Sequence, residues 1–278
     1  MDHALPPIEI VSSTELRAAA LACLKETTPA AKCAAVKALH GRWHAGQMTL
    51  AGRILADAAG VPGRPPLPEL VSPLQVKSRS MRTPEGRAAL VHALAHIEFN
   101  AINLALDAVW RFDDMPRQFH EDWLQVAAEE AYHFSLLAAH LRTLGYAYGD
   151  FTAHNSLWDM CDKTSSDVLA RMALVPRTLE ARGLDAAPPV RAKLAQAGDL
   201  AAAQILDIIL RDEVGHVLIG NRWFGWLCSQ RGLDPVPTFA ELARRYKAPP
   251  MRGPFNLDAR RAAGFTEEEL LMLIHIEG

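Results

Sequence analysis

The chain has 278 residues, half of them hydrophobic and 22% charged, which excludes a disordered chain and permits one large domain or a main domain with smaller additions. Lys and Arg total 29 against 32 Asp and Glu, a formal net charge of -3, so no global positive field exists to hold a nucleic-acid backbone.

Alternating strand patterns are nearly absent, and Ala- and Leu-rich runs with three-to-four spacing predict a mainly helical protein. Residues 13 to 46 read as two or three short helices, with Ser12, Ser13 or Thr14 as N-cap candidates and Thr28 before Pro29 opening the second. A proline-rich connector over 61 to 84 separates this lobe from four longer helical patterns. The first opens at Thr83 and Pro84 and runs to about Phe112; the second runs from about Gln118 to Gly145. The third starts near Ser165 or Ser166 and stops at Gly183, kinked by Pro176, and the fourth runs from about Asp199 to Gly232. Prolines 235, 237, 249, 250 and 254 then mark an irregular tail, with a last helix capped at Thr266. The expected organisation is an N-terminal helical lobe and connector over 1–82, a four-helix bundle over 83–233, and an extension over 234–278 packed on the bundle.

The start of the chain, with Asp2 and two prolines, lacks a basic-then-apolar leader, and no apolar run reaches 18 residues uninterrupted, so neither secretion nor a membrane span is expected. Cys23, Cys33, Cys161 and Cys228 lie far apart without a Cys-x-x-Cys pair, which fits reduced thiols in a cytoplasm.

Chemistry is signalled by where charge falls inside the helices. Between Ala88 and Leu106 the only charged residue is Glu98; between Trp123 and Leu141 the only ones are Glu129 and Glu130. Such apolar helices are buried on most faces, and a carboxylate there needs a partner that no Lys or Arg in those stretches provides. A metal ion meets the need. Glu130 and His133, like Glu213 and His216, are spaced i,i+3, so each pair projects from one helical face with donors that suit iron or manganese. With 16 Glu and 11 His in the chain, chance supplies about 0.6 such pairs, so two alone are weak evidence. Order strengthens it: Glu98 precedes Glu130 by 32 residues and Glu180 precedes Glu213 by 33, so the two halves repeat one unit. A twofold axis between two helical hairpins would gather Glu98, Glu130, His133, Glu180, Glu213 and His216 around two ions, whose charge balances four glutamates. Glu129 and Asp212, each directly before a pair, are candidates to accept the second ring N–H of the ligating histidines, Glu129 for His216 and Asp212 for His133.

The stretches HALAHIEFNAINLALDAVWRF, DWLQVAAEEAYHF, RMALVPRTLEARGLD and ILRDEVGHVLIGNRWF resemble an uncharacterised bacterial ferritin-like family, a domain of unknown function, over about residues 66 to 264. Its wider relatives, the bacterial di-iron monooxygenases and the ferritin-like tRNA hydroxylase, share the Glu, Glu-x-x-His, Glu, Glu-x-x-His order. The resemblance implies an all-α ferritin-like four-helix bundle and the same six ligands; it implies no substrate.

These readings lead to a non-haem dinuclear iron oxidoreductase, with manganese or a mixed pair also compatible, that uses O2 on a small organic substrate in an apolar cavity. Because no nicotinamide or flavin fingerprint is evident, electrons would come from a separate reductase. A ferroxidase or iron-handling protein, and a peroxide-consuming dimanganese or di-iron enzyme, are the alternatives. Arg177, one turn before Glu180, is a candidate substrate clamp or a structural salt bridge, and His154 in the loop after the second long helix is a candidate for substrate access. His92 and His96, and likewise His40 and His44, share helical faces and read as structural. Residues 244–261 hold six Lys or Arg and one Asp, a local net of +5 that is either a solvated face or a nucleic-acid or acidic-partner contact.

Overall fold

The computed structural model describes residues 13–50, 59–77 and 79–277. The fold is all-α, with helices packed as bundles; among the described residues the only β pairings are two isolated bridges, Glu15 with Thr49 and Leu70 with Ala153. Two compact units are present, one from Met1–Pro68 and Glu98–Ser135, the other from Glu69–Ile97 and Leu136–Gly278.

In the first unit, α1 (Leu16–Lys25) and α2 (Pro29–His44) form a hairpin. Helix α1 buries Leu16, Ala19, Ala20, Cys23 and Leu24, and α2 buries Lys32, Ala35, Val36, Leu39 and Trp43, each at helical spacing. The cap of α1 is Glu15, whose carboxylate accepts from the Ala18 N–H at 2.7 Å, and not Ser13 or Thr14; Ser12 lies outside the described residues. Thr28 stands at the N-cap of α2 with Pro29 behind it, as expected.

Helices α3 (Pro84–Arg111) and α4 (Arg117–Thr143) follow the predicted spans to within two residues. By length and composition α3 would cross a bilayer, which the sequence did not lead us to expect, but 67% of its apolar window is buried inside the protein. Its apolar surface is broken by buried Asn100, Asn103 and Asp107, and Asn103 receives the N-terminal hairpin. Lys32, fully buried, donates to Asn103 Oδ1, to the Gly63 carbonyl at 2.9 Å and to the Leu24 carbonyl at 3.1 Å. Arg17 donates to the Trp110 carbonyl at 2.9 Å, and Asp107 takes Arg111 in an ion pair one turn on.

The second unit contains α5 (Ser156–Lys163), α6 (Val168–Leu174), a π-helical segment (Val175–Glu180), α7 (Ala181–Gln196), α8 (Leu200–Gln230), α9 (Pro235–Arg245), α10 (Leu257–Ala262) and α11 (Glu267–Glu277). The third predicted helix differs from expectation. It does not stop at Gly183 but continues through Pro188 and Pro189 to Gln196. Proline at 188 removes the N–H that would serve the Leu184 carbonyl, and Asn256 supplies a substitute by donating its side-chain amide there at 3.2 Å. Its start is capped by Asp167, not by Ser165 or Ser166. The tail is also more regular than expected: Asp234 caps α9 by accepting from the Val236 N–H at 3.1 Å, and Pro235 and Pro237 fall in the first turn, where no helical donor is lost. Thr266 and Glu269 form the expected capping box of α11, with Thr266 N–H to Glu269 Oε2 at 2.9 Å and Glu269 N–H to Thr266 Oγ1 at 3.3 Å. The tail packs through Ala263, Phe265, Leu270 and Leu273 against Ala181, Leu184 and Val217.

Candidate metal centre

Apolar packing on either side of α3 and α4 carries three ligand-type groups into the interior of the first unit: Glu98 is 3% exposed, and Glu130 and His133 are fully buried. One donor atom from each lies within 4.8 Å of the other two. His133 Nδ1 stands 3.2 Å from Glu98 Oε2 and 3.6 Å from Glu130 Oε2. Burial, joined by the neighbouring Glu130 charge, pushes the Glu98 carboxyl up to about 8. For His133 burial pulls toward the neutral ring, but hydrogen bonds to Glu130 and Glu98 outweigh it and lift the imidazole to about 11. Two carboxylates this close and this dry favour positive charge between them, whether a proton or a cation.

Within the second unit, α8 presents Glu213 and His216 from one face, both buried, with His216 Nδ1 3.8 Å from Glu213 Oε2. Glu180 sits half-buried at the end of the π-helical segment, the last residue before α7. That segment is held from inside by the Thr178 hydroxyl, which donates to the Ala173 carbonyl five residues back at 2.8 Å. Pro176 lies against α8 at Gly220: a Cβ there would come within 2.5 Å of the Pro176 Cβ and 2.6 Å of its Cγ, so only glycine admits the ring so close. Gly220 is one turn beyond His216. Single π-turns inside helices are frequent at functional sites, because the extra residue re-aims the side chains that follow it.

Of the two acids beside the pairs, Glu129 accepts from the Gln125 amide at 2.7 Å, and Asp212 accepts from its neighbour Arg211 at 2.8 and 3.1 Å. The Glu129 contact belongs to a chain that the sequence reading missed. His44 and His40 meet at 2.9 Å between their Nε2 atoms, His40 reaches Gln125 Oε1 at 2.7 Å, and Gln125 continues to Glu129. The i,i+4 spacings within α2 and α4 were visible; that the two helices face each other there was not.

Arg177 is placed by the structural alternative. Its guanidinium is 6% exposed, pairs with Glu269 of α11, donates to Asn221 Oδ1 at 3.0 Å, and lies about 5 Å from the ring centres of Phe224, Phe239 and Phe265. Its charge is already neutralised inside the protein, which opposes the expected substrate contact. His154 contributes its backbone carbonyl, which accepts from His96 Nε2 at 3.0 Å, while His96 Nδ1 meets the Tyr148 hydroxyl at 2.8 Å. His92 accepts from the Gly149 N–H at 3.0 Å, and burial drives its ring down to about 4. The histidines of α3 thus hold the 145–155 loop, as their structural reading requires. In the basic stretch, Arg260 is buried against Asp185 and Arg261 pairs with Asp258 and Glu267, which removes two of the six cations from any open patch.

The family profile described as "Protein of unknown function (DUF455)" matches residues 25–271. An "Uncharacterized protein" of Haemophilus influenzae is 54% identical over 220 residues, which are 77% of this chain and 76% of that protein. No solved structure matches.

Proposed function

Since the chain belongs to the DUF455 family, whose description assigns no activity, we propose from the site itself that it is a dinuclear metal carboxylate protein, with iron as the metal, acting as an O2-dependent oxidoreductase on a small organic substrate. The observation that carries this reading is the buried Glu98–Glu130–His133 triad, in which donor atoms of two carboxylates and an imidazole lie within 4.8 Å of one another. The repeat of its sequence pattern in Glu180, Glu213 and His216 supports a second half-site.

The residues fit the group. Oxygen and imidazole nitrogen donors suit iron and also accept manganese, and two divalent ions balance four glutamates. When bound, iron supplies redox chemistry and open coordination positions for O2. The chain does the rest. Glu98 and Glu130 hold His133 in place, and Glu98 and His133 give up protons on loading, while buried Val126, Ala127 and Phe134, one turn along α4, exclude water from the ligands. Glu129, tied by Gln125 to His40, sits beside Glu130 in the chain as a candidate orienting acid. Electrons reach the site from a separate reductase. The four cysteines are free, which suits a reducing cytoplasm.

The test is anaerobic loading with Fe(II), elemental analysis, then stopped-flow mixing with O2. Two irons per chain, oxidised by about one equivalent of O2 per site and retained, are expected. A folded protein that binds no iron overturns the reading; many equivalents oxidised and kept as mineral replace it with iron storage.

A further inference from the structure

We infer that the C-terminal helix α11 is a positioning element for Glu180, acting through Arg177, so that docking of the extension and metal loading are coupled. The inference rests on the proposed ligand role of Glu180 and adds a control that this role alone does not require.

Three contacts converge on the short π-helical segment that ends at Glu180, and two more lie just beyond them. Pro176 is seated in the notch that Gly220 leaves on α8, one turn from His216. Arg177, next in the chain, is held by Glu269 of α11 and by Asn221 of α8. Asn221 in turn donates its amide to the Ala263 carbonyl at 2.7 Å, so one side chain joins α8, the π-helical segment and the turn leading into α11. Beyond Glu180, Asp185 on α7 receives Arg260 of α10 at 2.6 Å, and both arginines lie about 5 Å from the same Phe265 ring. Glu180 is therefore bracketed by two buried arginines, three residues before it and, through Asp185, five residues after it. Both are neutralised or packed by residues from beyond 254.

The consequence is energetic. A π-turn is an uncommon backbone state that persists when its surroundings hold it. Here part of what holds it, Glu269 and the Phe239 and Phe265 rings around Arg177, comes from the extension. Undocking α11 would leave the Arg177 charge buried without its carboxylate, and the cheapest relief is for the segment to move and carry Arg177 to water. Glu180 would move with it. Reciprocity then requires that a metal which fixes Glu180 also favours docked α11.

Glu269 allows a clean test because its two oxygens do separate work. Oε1 faces Arg177, while Oε2 accepts from the Thr266 N–H in the capping box. Glu269→Gln keeps the box, since glutamine serves there as well, but removes the charge from Arg177. Glu268→Gln, at the exposed neighbouring position, is the control with the same charge change. Mn(II) binding is titrated by electron paramagnetic resonance for the full chain, for both variants and for Glu180→Ala, with helicity followed by circular dichroism. Glu269→Gln should keep its helicity and bind Mn(II) roughly ten- to a hundredfold more weakly than the chain itself, the range for lost outer-shell partners; Glu268→Gln should bind unchanged. Glu269→Asp should recover part of the loss. Hydrogen exchange on the unaltered protein, which needs no variant to fold, should show α11 amides slowed on Mn(II) loading. Equal affinity in Glu269→Gln together with unchanged α11 exchange refutes the coupling and leaves the ligand reading standing. No Mn(II) binding by the unaltered chain, or undiminished binding by Glu180→Ala, refutes the ligand reading and the coupling with it.

Discussion

Gly220→Ala tests the seat of the π-helical segment without touching any ligand. In the interior of a helix this exchange ordinarily stabilises by about 1 kcal/mol, because alanine has less backbone freedom to lose. Gly225, also inside α8, has nothing within 4 Å of a new Cβ and should show that gain. At Gly220 the same methyl would meet two carbons of the Pro176 ring at 2.5 and 2.6 Å, against about 3.5–4.0 Å for carbon atoms at rest. The ring cannot rotate away. Its neighbour Arg177 is pinned by Glu269 and Asn221, so α8 and the segment must separate by roughly 1 Å, a form of overpacking that costs about 1–3 kcal/mol. Gly220→Ala should therefore be less stable than Gly225→Ala by about that same 1–3 kcal/mol. The comparison is made by thermal and urea unfolding followed by circular dichroism, where each kcal/mol moves the midpoint by about 2–4 °C in a chain of somewhat smaller size. If Gly220→Ala melts at or above Gly225→Ala, the notch is not a constraint and the account of how Glu180 is held fails.

Glu130→Ala and His133→Ala should each remove most bound metal while far-ultraviolet circular dichroism stays helical, because the apolar faces of α3 and α4 still pack; unchanged metal content in both would take these residues out of the ligand set. Metal affinity should rise with pH, since Glu98, lifted to about 8, and His133, lifted to about 11, must release protons to bind an ion; Mn(II) titrations at pH 6.5 and 8.5 that give equal affinity would contradict the burial of charge described above. The same two shifts are upward, so the stability they confer on the metal-free protein is complete at low pH and is lost as pH rises, through about 8 for Glu98; urea midpoints should fall from pH 5 to pH 8 without metal and change less with it. His92 acts in the opposite sense: its ring is depressed to about 4, so its contribution is present above its ordinary 6.5 and lost as pH falls through about 4, and His92→Gln, which still accepts from Gly149, should show a shallower acid loss than the unaltered chain.

The parts of this architecture legible in the sequence were those governed by one helix at a time. Helices α3, α4 and α8 announce themselves by apolar periodicity with Thr83, Asp199 and Gly145 at their ends, and the i,i+3 spacing of Glu130 with His133 fixes a shared face before any tertiary contact is known. Glycine and proline misled where tertiary contacts overrode their local preference. Gly183 is an ordinary helical residue because α7 keeps Ala181, Leu184 and Leu194 buried past it, and Pro188 is tolerated because Asn256, 68 residues later, answers the orphaned carbonyl. Arg177 could be placed one turn from Glu180 from sequence alone, but its partner Glu269 lies 92 residues away, a pairing that no local pattern encodes. The His44–His40–Gln125–Glu129 chain was invisible for the same reason.

The buried ammonium of Lys32 bears on what could be cut away. Its three acceptors come from α1, from the connector and from α3, and its nitrogen also lies 4.9 Å from the centre of the Phe99 ring, the residue directly after Glu98. A fragment starting at residue 83 would turn Asn103, the Trp110 carbonyl and the Phe99 face toward water, on the helix whose Glu98 carboxylate depends on dryness. The hairpin of α1 and α2 is thus bound to α3 through buried cations, at Asn103, at Trp110 and over the ring that follows Glu98, and a fragment meant to keep the triad dry should include it.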